Sequence, residues 1–262
     1  MLAAKSKGND ADNPSWIQAM NGPFSQEYWE ASCLEVETLE KMDAWSVVDQ
    51  KPEMNVLPST WAFKCKQFPD GLIKKFKARF CARGDRQIDG VDYFETYAPV
   101  VMWVTVRLLL ILECLLGLVS KQGDVTCAFL HAHLEEGEEV YLKMPCEFKQ
   151  YNKKGNTKVL KLKRTLYGLK QSPHAFWKYM VKKLSTCGMK QSDLNQCLFI
   201  SDTVIIVMYV DDILMWSTTE DHIFKLGDSL QAEGVKLEEE DDAAGFLGDN
   251  MMKGTNGQMV MT

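Results

Sequence analysis

The sequence predicts a mixed chain in which β-hairpins and amphipathic helices build one large domain or two modest ones, since 262 residues allow either. Three observations carry this expectation. Residues 203–217 are β-branched and aromatic on both sides of an acidic pair, Asp211 and Asp212, which favours two strands with the aspartates at the bend. Residues 61–83 read as a second hairpin around Pro69-Asp70-Gly71. Between Ser25 and Met42 the apolar residues Tyr28, Trp29, Cys33, Leu34, Val36 and Leu39 recur at helical spacing.

In chain order, residues 1–24 are rich in Asn, Asp, Gly, Ser and Pro and are expected to be a linker or disordered tail. The helix of residues 25–42 follows, then a short strand at Trp45-Ser-Val-Val48. In the 61–83 hairpin the second strand alternates with period two. Lys75, Lys77, Arg79 and Arg83 fall on one face, with Phe76, Ala78 and Phe80 on the other. A helix over 104–117, a strand over 118–125 ending near Asp124, and a strand over 139–144 come next. Ser172-Pro173 opens a helix that runs to Gly188, with a capping hydroxyl and proline at the first helical position. A helix over 220–231 and an acidic tail complete the chain, and there is no internal repeat.

Composition excludes several classes. The chain is 46% hydrophobic and 25% charged, as in ordinary soluble proteins. Its eight cysteines form no CxxC pair, and no targeting signal opens the chain, so reduced thiols in a cytoplasmic or nuclear setting are expected. The apolar stretch 100–119 contains Arg107 and Glu113 and reads as a buried core helix rather than a membrane span. The net charge of −6 conceals segregation. Residues 61–86 hold eight Lys and Arg against two Asp, residues 141–190 thirteen against one Glu, and residues 220–242 two against nine acids. Such a surface steers an anionic polymer over part of its area, or simply stays solvated. The 73–83 strand is equally an edge protected by lysines, although Arg79 and Arg83 suit phosphate oxygens.

Two carboxylates inside an apolar run need a compensating partner, and the natural one is a divalent cation of the Mg²⁺ type. Asp124 at a strand end is the third acid. Three acids from two strands can hold two ions that clamp the attacking and leaving oxygens of a phosphoryl transfer. A lone aspartate at a strand end also serves as a cap or turn residue.

Several motifs stand in one order. Tyr209-Val-Asp-Asp212, Asp124-Val-Thr-Cys-Ala-Phe-Leu130, Leu166-Tyr-Gly-Leu-Lys-Gln-Ser-Pro173, Phe76-Lys-Ala-Arg-Phe-Cys-Ala-Arg-Gly84 and Val91-Asp-Tyr-Phe-Glu-Thr-Tyr-Ala-Pro99 together resemble the copia-type retrotransposon reverse transcriptases over about residues 14–250. The resemblance implies an α+β fold, the fingers and palm of a right-hand polymerase, with an antiparallel palm sheet backed by helices and the thumb largely absent. It implies residues 25–120 as N-terminal helix and fingers, 121–250 as palm with an intervening fingers segment, and 251–262 as a truncated tail. The implied function is RNA-directed DNA polymerase, part of a Pol polyprotein, acting on an RNA or DNA template with primer and on deoxynucleoside triphosphates. The setting is a cytoplasmic virus-like particle or the nucleus, without a membrane. The alternative is an inactive remnant that at most binds nucleic acid.

By the same resemblance Asp124, Asp211 and Asp212 are catalytic and, with the Val125 carbonyl, hold two Mg²⁺ ions, for which Mn²⁺ could substitute. Lys75, Lys77 and Arg79 grip the triphosphate. Phe129 crowds the sugar 2′ position, or is plain core. Gly168 lets backbone approach the substrate. Lys170 and Gln171 contact nucleic acid or brace their loop, and Tyr209 lies beside the primer end or packs the hairpin. The chain departs from the pattern at Gly123, where an apolar residue is usual and glycine weakens the strand, and at His131-Ala132, where Asn-Gly is common. Cys127, His131 and His133 lack a fourth ligand for zinc. Gly245-Phe-Leu-Gly-Asp249 resembles the primer-grip segment with an acid in an apolar place. Connection and ribonuclease H domains are expected to be absent after it, with protease and integrase lying before residue 1.

Overall fold

The computed structural model describes residues 13–67, 72–240, 251–253 and 259–261, the last two stretches and residues 239–240 by backbone alone. The elements run α1 (Trp16–Asn21), α2 (Ser25–Lys41), β1 (Trp45–Asp49), β2 (Val56–Leu57), β3 (Ser59–Gln67), β4 (Ile73–Ala82), α3 (Trp103–Leu116), β5 (Val119–Val125), β6 (Tyr141–Lys143), β7 (Lys158–Leu162), α4 (Ser172–Thr186), β8 (Lys190–Gln191), β9 (Leu198–Ile200), β10 (Val204–Tyr209), β11 (Asp212–Ser217), α5 (Glu220–Ala232), β12 (Leu237–Glu240), β13 (Met251–Lys253) and β14 (Met259–Met261). The mixture of sheets and helices is α+β. The chain divides into two units, one comprising the described residues up to Thr96 plus Ala132–Ala175, the other Tyr97–His131 plus the described residues from Phe176 onward.

In the first unit β3 and β4 form the expected antiparallel hairpin, whose turn residues Pro69-Asp70-Gly71 lie outside the described residues. Alternation in β4 buries Ala78, Phe80 and Ala82, and α2 packs along this strand. Tyr28 of α2 meets Phe63 and Phe76 edge-on at 5.2 and 4.8 Å between centroids. Residues 1–24 were expected to be a tail, yet 16–21 form α1. A capping box between Ser15 and Gln18 satisfies its first turn, and Trp16 stacks on Trp61 at 5.8 Å, burying surface that a free tail would leave wet. A second sheet has the order β1-β7-β6-β2, with β2 and β6 parallel.

The second unit is built on an antiparallel sheet of order β12-β5-β11-β10-β9-β8. Helix α3 ends at Gly117, whose φ of 65° is the left-handed cap glycine adopts readily. Its Val106, Leu109 and Leu110 join Val207, Leu214 and Trp216 of the hairpin in one core. The expected buried helix is therefore one-sided: Val104, Leu108, Ile111 and Leu115 on its other face are exposed. Glu113 explains its place in an apolar run by accepting a hydrogen bond from Trp216 Nε1 at 3.0 Å. No helix among the described residues is long and apolar enough to cross a membrane.

The acidic stretch read as a tail is in part a strand. Backbone hydrogen bonding to β5 holds residues 237–240 as β12, because the ladder is made by main-chain groups that every residue here supplies. Helix α4 begins at Ser172 as expected, but the Ser172 hydroxyl donates to the Leu166 carbonyl at 2.6 Å and so ties the preceding loop to the helix. Gly245–Asp249 lies outside the described residues.

Candidate functional site

The hairpin of β10 and β11 turns over two residues, Val210 and Asp211, with Tyr209 paired to Asp212. Val210 adopts φ 55°, a conformation that costs a β-branched residue on the order of 1–3 kcal/mol and is held by the ladder on either side. Strand β11 lies against β5 in a register that sets Asp212 opposite Asp124. The Val125 N–H donates to the Asp211 carbonyl at 3.0 Å, fastening the turn to the end of β5. Paired residues on adjacent strands point to the same face, about 5 Å apart at Cβ, so the two carboxylates share one face while Asp211 sits in the turn beside them. All three are half-buried.

A fourth acid, which sequence reasoning missed, extends this row. Glu238 of β12 lies opposite Asp124 on its other side, giving Asp212, Asp124 and Glu238 across three adjacent strands. Like charges in register destabilise a sheet unless something offsets them. Carboxylates and backbone carbonyls are the hard oxygen donors that suit Mg²⁺, so the donor set fits such an ion. Among the described residues no group of three His, Cys, Asp or Glu is gathered closely enough to hold a metal ion. Zinc at Cys127, His131 and His133 has no support, since His131 Nε2 is 3.0 Å from the Thr126 carbonyl and its ring stacks on Tyr179.

Gly123, the departure beside Asp124, is a matter of composition rather than space. A Cβ there would meet Met215 Cε at 3.5 Å and nothing nearer, an ordinary contact. Phe129 lies in the short 3-10 turn after β5, is buried, and meets Phe176 edge-on at 6.1 Å. Tyr209 is half-buried and packs against the core of α3 and the hairpin.

In the first unit, β4 presents the basic ladder. The register adds two residues that were not singled out: Lys64 lies opposite Lys77, and Lys66 opposite Lys75. Their alternation in β3 was the available signal. Arg79 is half-buried with its guanidinium 4.6 Å from the centre of the Tyr167 ring. Glu35 of α2 accepts from the Phe80 N–H at 3.2 Å. Burial pushes the Glu35 carboxyl above its usual range, against that hydrogen bond and the charges of Arg79 and Lys77, which pull it down. The Cys81 thiol is pushed up to about 12, chiefly by burial and further by Glu35.

The loop from Leu166 to Gln171 is braced from within. Gly168 has φ 90°, and a Cβ on it would lie 2.2 Å from the Ala82 carbonyl oxygen. Its need for glycine is thus met inside the protein, by the approach of the loop to the end of β4. Gln171 is 2% exposed; its amide donates to the Asp92 carbonyl at 2.9 Å and accepts from Gln87 Nε2 at 3.0 Å. That is the bracing alternative. Lys170 is exposed, with its amine over the Tyr93 ring and 3.1 Å from the hydroxyl. The buried Asp92 carboxylate organises the neighbouring 88–93 segment, accepting from Asn55 and from the Ile88 N–H.

A model of the family described as reverse transcriptase (RNA-dependent DNA polymerase) matches residues 42–262. The Retrovirus-related Pol polyprotein from transposon TNT 1-94 of Nicotiana tabacum is 30% identical over 223 residues, covering 83% of this chain and 16% of the polyprotein. That from transposon RE1 of Arabidopsis thaliana is 31% identical over 209 residues, 78% of this chain and 14% of its own. The Transposon Ty1-ER2 Gag-Pol polyprotein of Saccharomyces cerevisiae is 32% identical over 204 residues, 73% and 11% respectively. The chain belongs to the reverse transcriptase family of the copia-type retrotransposons. It spans less than a fifth of the length of these relatives.

Proposed function

We propose that the chain is the fingers and palm of an RNA-directed DNA polymerase, adding deoxynucleotides to a primer on an RNA or DNA template by two-metal phosphoryl transfer. The observation that carries this reading is the register placing Asp124 opposite Asp212 with Asp211 in the adjoining turn. Asp124, Asp211 and Asp212, with the Val125 carbonyl, would hold the Mg²⁺ ions. Bound there, the ions supply charge neutralisation at the attacking and leaving oxygens.

The remaining tasks fall to protein groups. A rigid ladder fixes the carboxylates, so little reorganisation is needed when charge develops. Lys75, Lys77 and Arg79 provide cationic contacts for a triphosphate, and the paired lysines of β3 raise the positive potential of the same strand face. Phe129, held by Phe176, would crowd a ribose 2′-hydroxyl and so select deoxynucleotides. Lys170, exposed on its loop, would meet a phosphate backbone, while Gln171 and Gly168 shape that loop. Tyr209, next to the turn, supports the primer end.

Primer extension on poly(rA) with oligo(dT), Mg²⁺ and dTTP tests this reading. Wild-type protein is expected to incorporate nucleotide, and Asp211→Asn to lose at least two orders of magnitude, the scale of removing an electrostatic stabiliser from a preorganised site. A variant extending as well as wild type would overturn the metal assignment. Absence of incorporation by wild type, with salt-sensitive nucleic-acid binding intact, would leave a binding remnant instead.

A further inference from the structure

Arg79 is unusual for a half-buried arginine. Its Nε is buried without a hydrogen-bond partner, and its guanidinium has no ion pair or hydrogen bond among the described residues. The Glu35 carboxylate acts on this charge from beyond ion-pair distance, so the terminal NH2 donors of the guanidinium remain available to an anion. What orients it is aromatic: the Tyr167 ring lies 4.6 Å below the guanidinium carbon. Tyr167 is itself fixed from the backbone side, because its carbonyl accepts from the Ala82 N–H at 2.8 Å, three residues beyond Arg79 on the same strand.

The next residue locks this contact further. Gly168 approaches Ala82 so closely that no side chain fits, and a Cβ on Gly84 would lie 2.0 Å from the Gly168 carbonyl oxygen. The loop and the end of β4 are therefore one piece of backbone packing. A guanidinium seated over a ring in this way can still turn its terminal donors to an oxyanion, which a lysine could not reproduce.

We propose that Tyr167 is the positioning residue for Arg79: its ring holds the guanidinium in place, so that its terminal donors are preorganised for the phosphate oxygens of an incoming triphosphate. This rests on the triphosphate role given to Arg79 under the proposed function. Tyr167 acts through the arginine and does not itself touch the substrate. The loop carrying it thus determines how well the basic strand recognises phosphate.

The 262-residue chain tests this with inorganic tripolyphosphate as probe, measured by calorimetry, and with exchange of the Arg79 Nε–H followed by NMR. Tyr167→Leu is expected to weaken tripolyphosphate binding roughly five- to tenfold, the worth of a partly desolvated cation–π contact, and to accelerate Nε–H exchange. Tyr167→Phe keeps the ring and is expected to restore both values. In an Arg79→Gln background the leucine substitution should add nothing. In primer extension the leucine variant should raise KM for the nucleotide with kcat nearly unchanged. Equal weakening with and without Arg79, or unchanged exchange in Tyr167→Leu, would overturn the inference and leave Tyr167 a packing residue. A wild-type chain that extends primers yet ignores tripolyphosphate would remove Arg79's phosphate role while leaving the polymerase reading intact. Failure of extension with the binding pattern as expected would do the reverse.

Discussion

Replacing Gly168 by alanine separates two costs that glycines usually combine. Gly168 and Gly137 have nearly the same backbone angle, φ 90° and 91°, and both lie in the first unit. At Gly137 an added Cβ meets nothing within 4 Å, whereas at Gly168 it would lie 2.2 Å from the Ala82 oxygen and 3.2 Å from the Ala82 nitrogen and carbonyl carbon. Gly137→Ala should therefore cost only the conformational penalty of positive φ, about 1–2 kcal/mol. Gly168→Ala carries the same penalty and must also push the loop off β4, breaking the 2.8 Å bond from Ala82 N–H to the Tyr167 carbonyl. Leaving those groups unpaired adds about 1–3 kcal/mol, for a total of roughly 2–5 kcal/mol. Urea denaturation followed by circular dichroism measures both variants against wild type. Equal destabilisation by the two substitutions would refute the claim that close backbone approach, and not torsion alone, demands glycine at 168.

Two further outcomes are expected. Folded Glu35 binds its proton more tightly than an unfolded glutamate, so its contribution to stability is fully present below the ordinary value of 4.5 and is lost as pH rises through the higher folded value. Stability of wild type relative to Glu35→Gln should fall across that window, and parallel stability–pH curves would contradict the assignment. In the second unit, Glu113→Leu should strand the Trp216 indole N–H in the core at a cost of about 1–3 kcal/mol, while Glu113→Gln, which keeps an acceptor, should cost less; denaturation of the two variants decides it.

Local chemistry was legible where periodicity or a turn signal was strong. The β10–β11 turn was visible because an acidic pair interrupts a β-branched run, and the period-two ladder of β4 could be read directly from Lys75, Lys77 and Arg79. Pairing partners were not visible. That Asp124 faces Asp212 is a matter of register between residues 88 apart in the chain, set by the ladder and not by either segment alone. Strand β12 was hidden for a related reason: Glu238 and its neighbours have low strand propensity, and backbone hydrogen bonds to β5 outweigh it. For Gln171 the motif left nucleic-acid contact and loop bracing open, and the partners that make it a brace, Gln87 and Asp92, lie more than 75 residues upstream. Helix α1 escaped because six residues are too few for a periodic signal, and its stability comes from the Trp16–Trp61 contact.

The ladder between β5 and β11 has a consequence for how copies of such a sequence age. A single in-frame codon inserted between Val119 and Asp124 slides every following side chain to the opposite face. Asp124 would then face away from Asp212 although no acidic codon had changed. An insertion among the exposed residues 153–156 would only lengthen a surface turn. Descendants should therefore diverge in length freely at the turn and hardly at all in β5, and a lineage that loses this spacing loses its carboxylate pair in one step, with every aspartate still in its gene.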